Sequence, residues 1–272
     1  MRILDLTPDY LSAVNDGALE RYTARLPELF NHYFDYWSPA FRHIAVYPAD
    51  AIETGRRQIL SGLEVVRPRL EDIGLDVSGL EIILMVGNGA SNGHAVKLGG
   101  EFRVWLPVEA YPTGLRAEVF AAHEIIHALH YQSCRDAYFD TSDSKNDVMR
   151  QLLTEGIATY HSMQALGLDE GRALWADYLP EAQLQAWLQT CRGRESILAG
   201  ALLYAATGHN EVHDLFGTSR PDDPVFFRGG YYLGLKCIGA LARQHGWTPN
   251  QLLHQPLQKL KESALSELSK YL

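Results

Sequence analysis

Few cysteines, a deficit of basic side chains and the lack of any long apolar run set the first limits on this chain. Cys134, Cys191 and Cys237 are odd in number and widely spaced, which argues against a disulfide framework and leaves small buried hydrophobes as their expected role. Such thiols fit a reducing, cytoplasmic setting. With 24 Lys and Arg against 33 Asp and Glu, the formal net charge is −9, and no basic run concentrates a positive field. Nucleic acid and anionic membrane surfaces are therefore not expected partners. No stretch approaches a membrane span. The first residues, Met1-Arg2-Ile3-Leu4-Asp5, meet acid before any apolar h-region, so no signal peptide is expected. What the chain does have is 46% hydrophobic residues over 272 positions, enough to bury a sizeable core in one large domain or two closely joined lobes.

The stretch with the most chemical content is His123-Glu124-Ile125-Ile126-His127, an HExxH pattern. Two imidazoles four residues apart on a helix lie one turn apart on the same side, where their ring nitrogens can converge on one metal ion. Glu124 points about 100° round the helix from His123, badly placed as a third ligand and well placed to touch a water beside the metal. It is the candidate general base. Leu115, Val119, Ala122, Ile126 and Leu129 form one apolar stripe, so the segment reads as a helix buried on one side, its histidines bordering that stripe. A pair of core histidines bonded to backbone is the competing explanation of the same spacing.

The rest of the chain reads as an α+β fold, mostly helical, with a small sheet beside the HExxH helix and a helical C-terminal lobe. Residues 1–78 form an N-terminal lobe that reads as mainly helical, with Pro27 splitting one apolar stretch, Ser38-Pro39 ending it, and a helix from Ala49 to about Val66 that stops before Pro68. Residues 79–131 hold strands at Glu81 to Val86 and Phe102 to Leu106, followed by the HExxH helix. Between the strands, Gly87-Asn88-Gly89-Ala90-Ser91-Asn92-Gly93-His94 is too rich in glycine for regular structure and precedes no helix, so it is not a phosphate loop. It is either a cleft edge or a long hairpin. Residues 132–272 form a helical lobe, opening with a polar connection from Gln132 to Ser144 and continuing with a helix from about Lys145 through Glu155. Two further helices are expected between residues 168 and 207, with Trp175, Leu184, Trp187, Ile197, Leu198 and Leu202 among the core candidates. Residues 79–272 together make the expected catalytic unit.

A catalytic zinc takes three protein ligands and leaves a place for water, so the two histidines need a partner. His130 lies two turns from His123, about 10 Å along the axis, and cannot share an ion with it. His209 and His213 repeat the i, i+4 spacing beside Gly208, with Glu211 at the wrong offset for HExxH. Glu155 is the better candidate, although its helix face also carries Gln151, Thr159 and Ser162 and could be a solvated one.

The string Thr154-Glu155-Gly156-Ile157-Ala158-Thr159-Tyr160 resembles the Glu-Gly-x-Ala-x-Tyr segment that supplies the third ligand in gluzincins such as the aminopeptidase N-like enzymes, where the glycine lets that helix approach the HExxH helix closely. The 28 positions between His127 and Glu155 make a longer gap than in that group or in thermolysin, which the polar connection can absorb. The chain is more broadly similar to a family of predicted zinc-dependent proteases. Their order of HExxH, Glu-Gly-x-Ala, Leu-Phe-Gly and Gly-Tyr-x-x-Gly is met here by His123 to His127, Glu155 to Ala158, Leu215-Phe216-Gly217 and Gly230-Tyr231-Tyr232-Leu233-Gly234. The resemblance spans about residues 115–272. It implies a zincin-like fold holding one zinc per chain through His123, His127 and Glu155, and Glu124 as catalytic base. Tyr231 is the expected oxyanion donor, ahead of Tyr232 and Arg228. The expected activity is hydrolysis of peptide bonds in a peptide or protein substrate. A zincin-shaped binding protein without turnover, or a zinc hydrolase of another amide or ester, are the alternatives.

Overall fold

The computed structural model describes residues 1–208 and 212–272, with the side chains of residues 212 and 213 also outside the description. The fold is α+β and mostly helical, around one small mixed sheet. Its contacts divide the chain into two units, Met1–Glu71 with Asp76–Ala128, and Asp72–Leu75 with Leu129–Leu272.

In the first unit, β1 (Arg2–Asp5) leads into α1 (Thr7–Asn15), α2 (Leu19–Thr23), α3 (Pro27–Tyr36) and α4 (Ala49–Asp72). Strands β2 (Glu81–Met85), β3 (His94–Leu98) and β4 (Glu101–Pro107) precede α5 (Gly114–Ser133). The sheet order is β1-β2-β4-β3, the first three parallel and β3 antiparallel at the edge. Every residue of β2 is buried, as a strand covered on both faces requires. Residues 1–78 are thus tied to the sheet by β1, whose Arg2 pairs in register with Glu81 and forms an ion pair with it.

Local chemistry explains most boundaries. Pro27 opens α3 rather than kinking it, because proline's missing N–H costs nothing in a first turn. Pro68 does not stop α4, which runs on to Asp72 instead of ending near Val66. Leu70 is fully buried, and that burial holds the last turn across the lost hydrogen bond. The hairpin in this region joins β3 to β4 through Gly99-Gly100, both at positive φ (59° and 87°), the two-residue turn whose twist matches its strands.

In the second unit, α6 (Ser142–Lys145) starts on a capping box between Thr141 and Ser144, so the polar connection carries a turn of helix of its own. Helix α7 (Val148–Leu166) is capped by Asp147 and closed by Gly167 at φ 64°. Three helices follow where two were expected: α8 (Glu170–Trp175), α9 (Glu181–Gly193) and α10 (Glu195–Ala206). Trp175, Leu184, Trp187, Leu198 and Leu202 are core residues as expected, whereas Ile197 is exposed. Then come α11 (Val212–Phe216), α12 (Gly229–His245), α13 (Pro249–Leu253) and α14 (Leu257–Leu268).

In this unit α7 and α12 pack backbone against backbone. A Cβ added at Gly156 would meet the carbonyl oxygen of Gly234 at 2.5 Å, and one at Gly234 would meet that of Leu152 at 2.7 Å. Only glycine at both positions lets the two backbones touch. No helix among the described residues is long and apolar enough to cross a membrane.

Candidate metal centre

Helix α5 is buried all round from Val119 to Tyr131, not on one side only. On α4, Gly62 admits it: a Cβ there would lie 3.2 Å from the Ala117 Cβ. Within this apolar sleeve His123, Glu124 and His127 are all buried. The imidazoles of His123 and His127 meet edge to face, their planes at 82°, with the two Nε2 atoms 3.0 Å apart. Two nitrogens at about 2.0–2.1 Å from a tetrahedral ion would stand roughly 3.3 Å apart, so the pair already has nearly the separation that zinc imposes.

The third member comes from α7. The ligand atoms of His123, His127 and Glu155 all lie within 4.8 Å of one another, and this trio could hold a metal ion. Glu155 is half-buried, and further along its face Thr159 and Ser162 are buried, so this is not the solvated stripe its polar side chains allow. His130 is buried and stands outside the trio. His209 lies outside the described residues, as does the side chain of His213.

The glycine segment 87–93 packs against Glu124 through Gly93. Gly93 has φ +135°, and a Cβ there would be 3.2 Å from the Glu124 Cγ and 3.0 Å from Leu106 Cδ2. The segment is no hairpin between β2 and β4, which are parallel; it crosses from β2 to the edge strand β3. Side chains brace it along its length. The Tyr33 hydroxyl donates to Asn88 Oδ1 at 2.6 Å and accepts from the Asn88 amide at 2.9 Å. Tyr111 donates to the Asn92 carbonyl. Glu109 Oε1 accepts from the amides of Gly87 (2.9 Å) and Gly89 (3.3 Å). Sequence reasoning finds the glycines but not these braces, which come from residues 19–55 positions away.

In the second unit the segments that carry the family resemblance lie against one another. Gly156 meets Gly234, so the close approach made by the Glu155-Gly156 step is to α12, whereas the resemblance leads one to expect the HExxH helix. Phe216 fills the space over Gly230 and lies 5.4 Å from the Tyr231 ring, while Arg228 donates its amide to the Gly217 carbonyl at 2.8 Å. Arg228 sits at φ 58°, its guanidinium stacked 4.3 Å from the Tyr231 ring centre and 4.8 Å from that of Trp175. Tyr232 is buried and its hydroxyl donates to Glu195; burial, reinforced by that carboxylate, pushes its pKa well up. That leaves Tyr231 as the half-buried tyrosine of the pair.

Compared with models of protein families, with curated proteins and with solved structures, the chain matches none.

Proposed function

We propose that this chain is a zinc-dependent hydrolase of the gluzincin type, a peptidase that cleaves peptide bonds in the cytoplasm. The observation that carries the reading is the convergence of His123, His127 and Glu155 within 4.8 Å, with Glu124 one residue from the first ligand. The donor set fits the metal: two neutral imidazoles and one carboxylate suit zinc and leave a coordination position for water. When bound, zinc supplies a Lewis acid that acidifies water and polarises the substrate carbonyl.

The protein's own groups do the rest. Glu124, buried beside the ligands and held against Gly93, takes a proton from the attacking water and delivers it to the leaving amine. Its surroundings exclude bulk water, which strengthens each electrostatic contact made there. Tyr231 is the donor assigned to the oxyanion, because the Tyr232 hydroxyl is committed to Glu195. Arg228, stacked on the Tyr231 ring, holds that ring in place.

The deciding measurement is metal content of the purified protein beside that of Glu155→Ala. One zinc per chain, lost or much weakened in the variant, is the expected result. Full zinc in the variant would remove Glu155 from the ligand set. Loss of hydrolysis in Glu124→Gln with zinc retained tests the base; a fully active Glu124→Gln protein would sink the mechanism.

A further inference from the structure

Glu109 presents a buried carboxyl that the reaction above does not use. It lies in the 3-10 turn Val108–Ala110 after β4, and only part of the residue reaches the surface. Oε1 accepts from the Gly87 and Gly89 amides, whereas Oε2 is buried with no hydrogen-bond partner among the described residues. The titratable groups facing it are tyrosine hydroxyls from four separate segments: Tyr10 of α1, Tyr22 of α2, Tyr33 of α3, and Tyr47 ahead of α4. Burial first, and Glu109's charge after it, pushes the Tyr47 hydroxyl up to about 12. These hydroxyls stay neutral across the range in which a carboxyl titrates.

We propose that Glu109 is a positioning residue for the general base, holding the glycine segment 87–93 in the path that packs Gly93 against Glu124. The chain of contact is short. Glu109 ties down Gly87 and Gly89, Tyr33 ties down Asn88, Tyr111 ties down Asn92, and Gly93 lies against the Glu124 side chain. Releasing the segment at Gly87 and Gly89 frees the wall that fixes where the base points, and a misplaced base loses rate far more than binding.

The brace is also sensitive to pH, and the sign follows from the burial of the carboxyl. Desolvation raises the Glu109 pKa from 4.5 to about 7 in the closed arrangement. An opened segment that admits water to Oε2 returns the group to its ordinary value. Opening therefore becomes easier as pH rises from 4.5 to about 7 and levels off above it.

This inference rests on the hydrolase reading for its kinetic consequence but not for its structural one, so two readouts separate them. Hydrogen exchange of the 87–93 segment, corrected for the intrinsic pH dependence of exchange, should show protection falling tenfold or more between pH 5 and pH 7. In Glu109→Gln, which offers one carbonyl oxygen to the same two amides without ionising, protection should be independent of pH. On a peptide substrate at pH 6, Glu109→Ala should lower kcat at least tenfold with KM and zinc content nearly unchanged, and Glu109→Gln should recover most of that loss. A pH step that persists in Glu109→Gln overturns the proposal, as does a Glu109→Ala protein whose kcat is normal. Should Glu109→Ala not fold, the Glu109→Gln exchange profile decides alone. Absence of hydrolysis in the wild type, with the exchange step present, would count against the hydrolase reading and not against the brace.

Discussion

The two helices that carry the candidate metal ligands are built on opposite principles. Helix α5 places His123 and His127 by local geometry, since one helical turn brings their rings together edge to face with the nitrogens 3.0 Å apart. Helix α7 contributes Glu155 from a position fixed by packing, where Gly156 and Gly234 let α12 touch its backbone. A local arrangement survives wherever the helix survives. A packed one depends on each atom at the contact, and the sharpest perturbations of the two should differ in kind.

The largest effect is expected on the local side. On the proposed reading, His127→Ala removes one of the two candidate ligands that a single turn supplies, and His130 on the same helix lies outside the trio. Zinc should fall below detection and hydrolysis by at least about a thousandfold, with the thermal midpoint of the metal-free protein little changed. Metal analysis and calorimetry on the same sample check this. A variant that still binds one zinc tightly would mean that spacing on α5 does not define the site.

The same contrast decides what is legible in the sequence. The spacing of His123, Glu124 and His127 is a statement about one helical turn, and its geometry can be read before any tertiary contact is known. Strand β2 is legible as an apolar run and β4 as an alternation of Phe102, Val104 and Leu106 with Arg103 and Trp105, and so is the mostly helical α+β class. Strand β1 is not, because four residues with two charged ends carry no period, and only pairing with β2 makes them a strand. Gly99-Gly100 is itself a hairpin signal, so β3 is recoverable by a closer reading of turn chemistry. Glu109 is beyond reach, since its environment is assembled from tyrosines far apart in sequence.

On the packed side, Gly156→Ala should cost about 1–3 kcal/mol, since the added methyl would lie 2.5 Å from a backbone oxygen that cannot rotate away. Urea unfolding measures the loss. Because relief can come only by separating α7 from α12, zinc affinity should fall about tenfold as well, a cost of the order expected when the support of a ligand is disturbed. Gly234→Ala faces the Leu152 carbonyl at 2.7 Å and should behave alike. Full stability in either variant would remove packing as what positions Glu155.

The histidines sharpen the comparison further. His123 and His127 of α5 face each other, whereas His161 of α7 is buried with Nε2 lacking a partner among the described residues and Nδ1 3.4 Å from Gln164 Oε1. Burial lowers the His161 pKa from 6.5 to about 4, so the folded state favours the neutral ring. Its contribution to stability is complete above pH 6.5 and is lost as pH falls towards 4, on the order of 2–3 kcal/mol across that window. In His161→Leu the decline in stability between those pH values should be shallower by that amount, measured by urea unfolding at each pH. An unchanged slope would assign the acid sensitivity to other groups.

The smallest expected effect is a gain, and it isolates contact from composition. Gly200 lies inside α10, like Gly156 inside α7, and by helix propensity alone both should profit from alanine. The surroundings differ: the nearest neighbour of a Cβ at Gly200 is Leu272 Cδ2 at 3.8 Å, an ordinary van der Waals distance. Gly200→Ala should therefore stabilise the protein by about 0.5–1 kcal/mol, mostly by reducing the freedom of the unfolded chain. The same substitution in two helices of one unit is thus expected to have opposite signs, set by what stands opposite the missing methyl. If Gly200→Ala destabilises as much as Gly156→Ala, the close approach of α7 and α12 is not what makes glycine necessary beside Glu155.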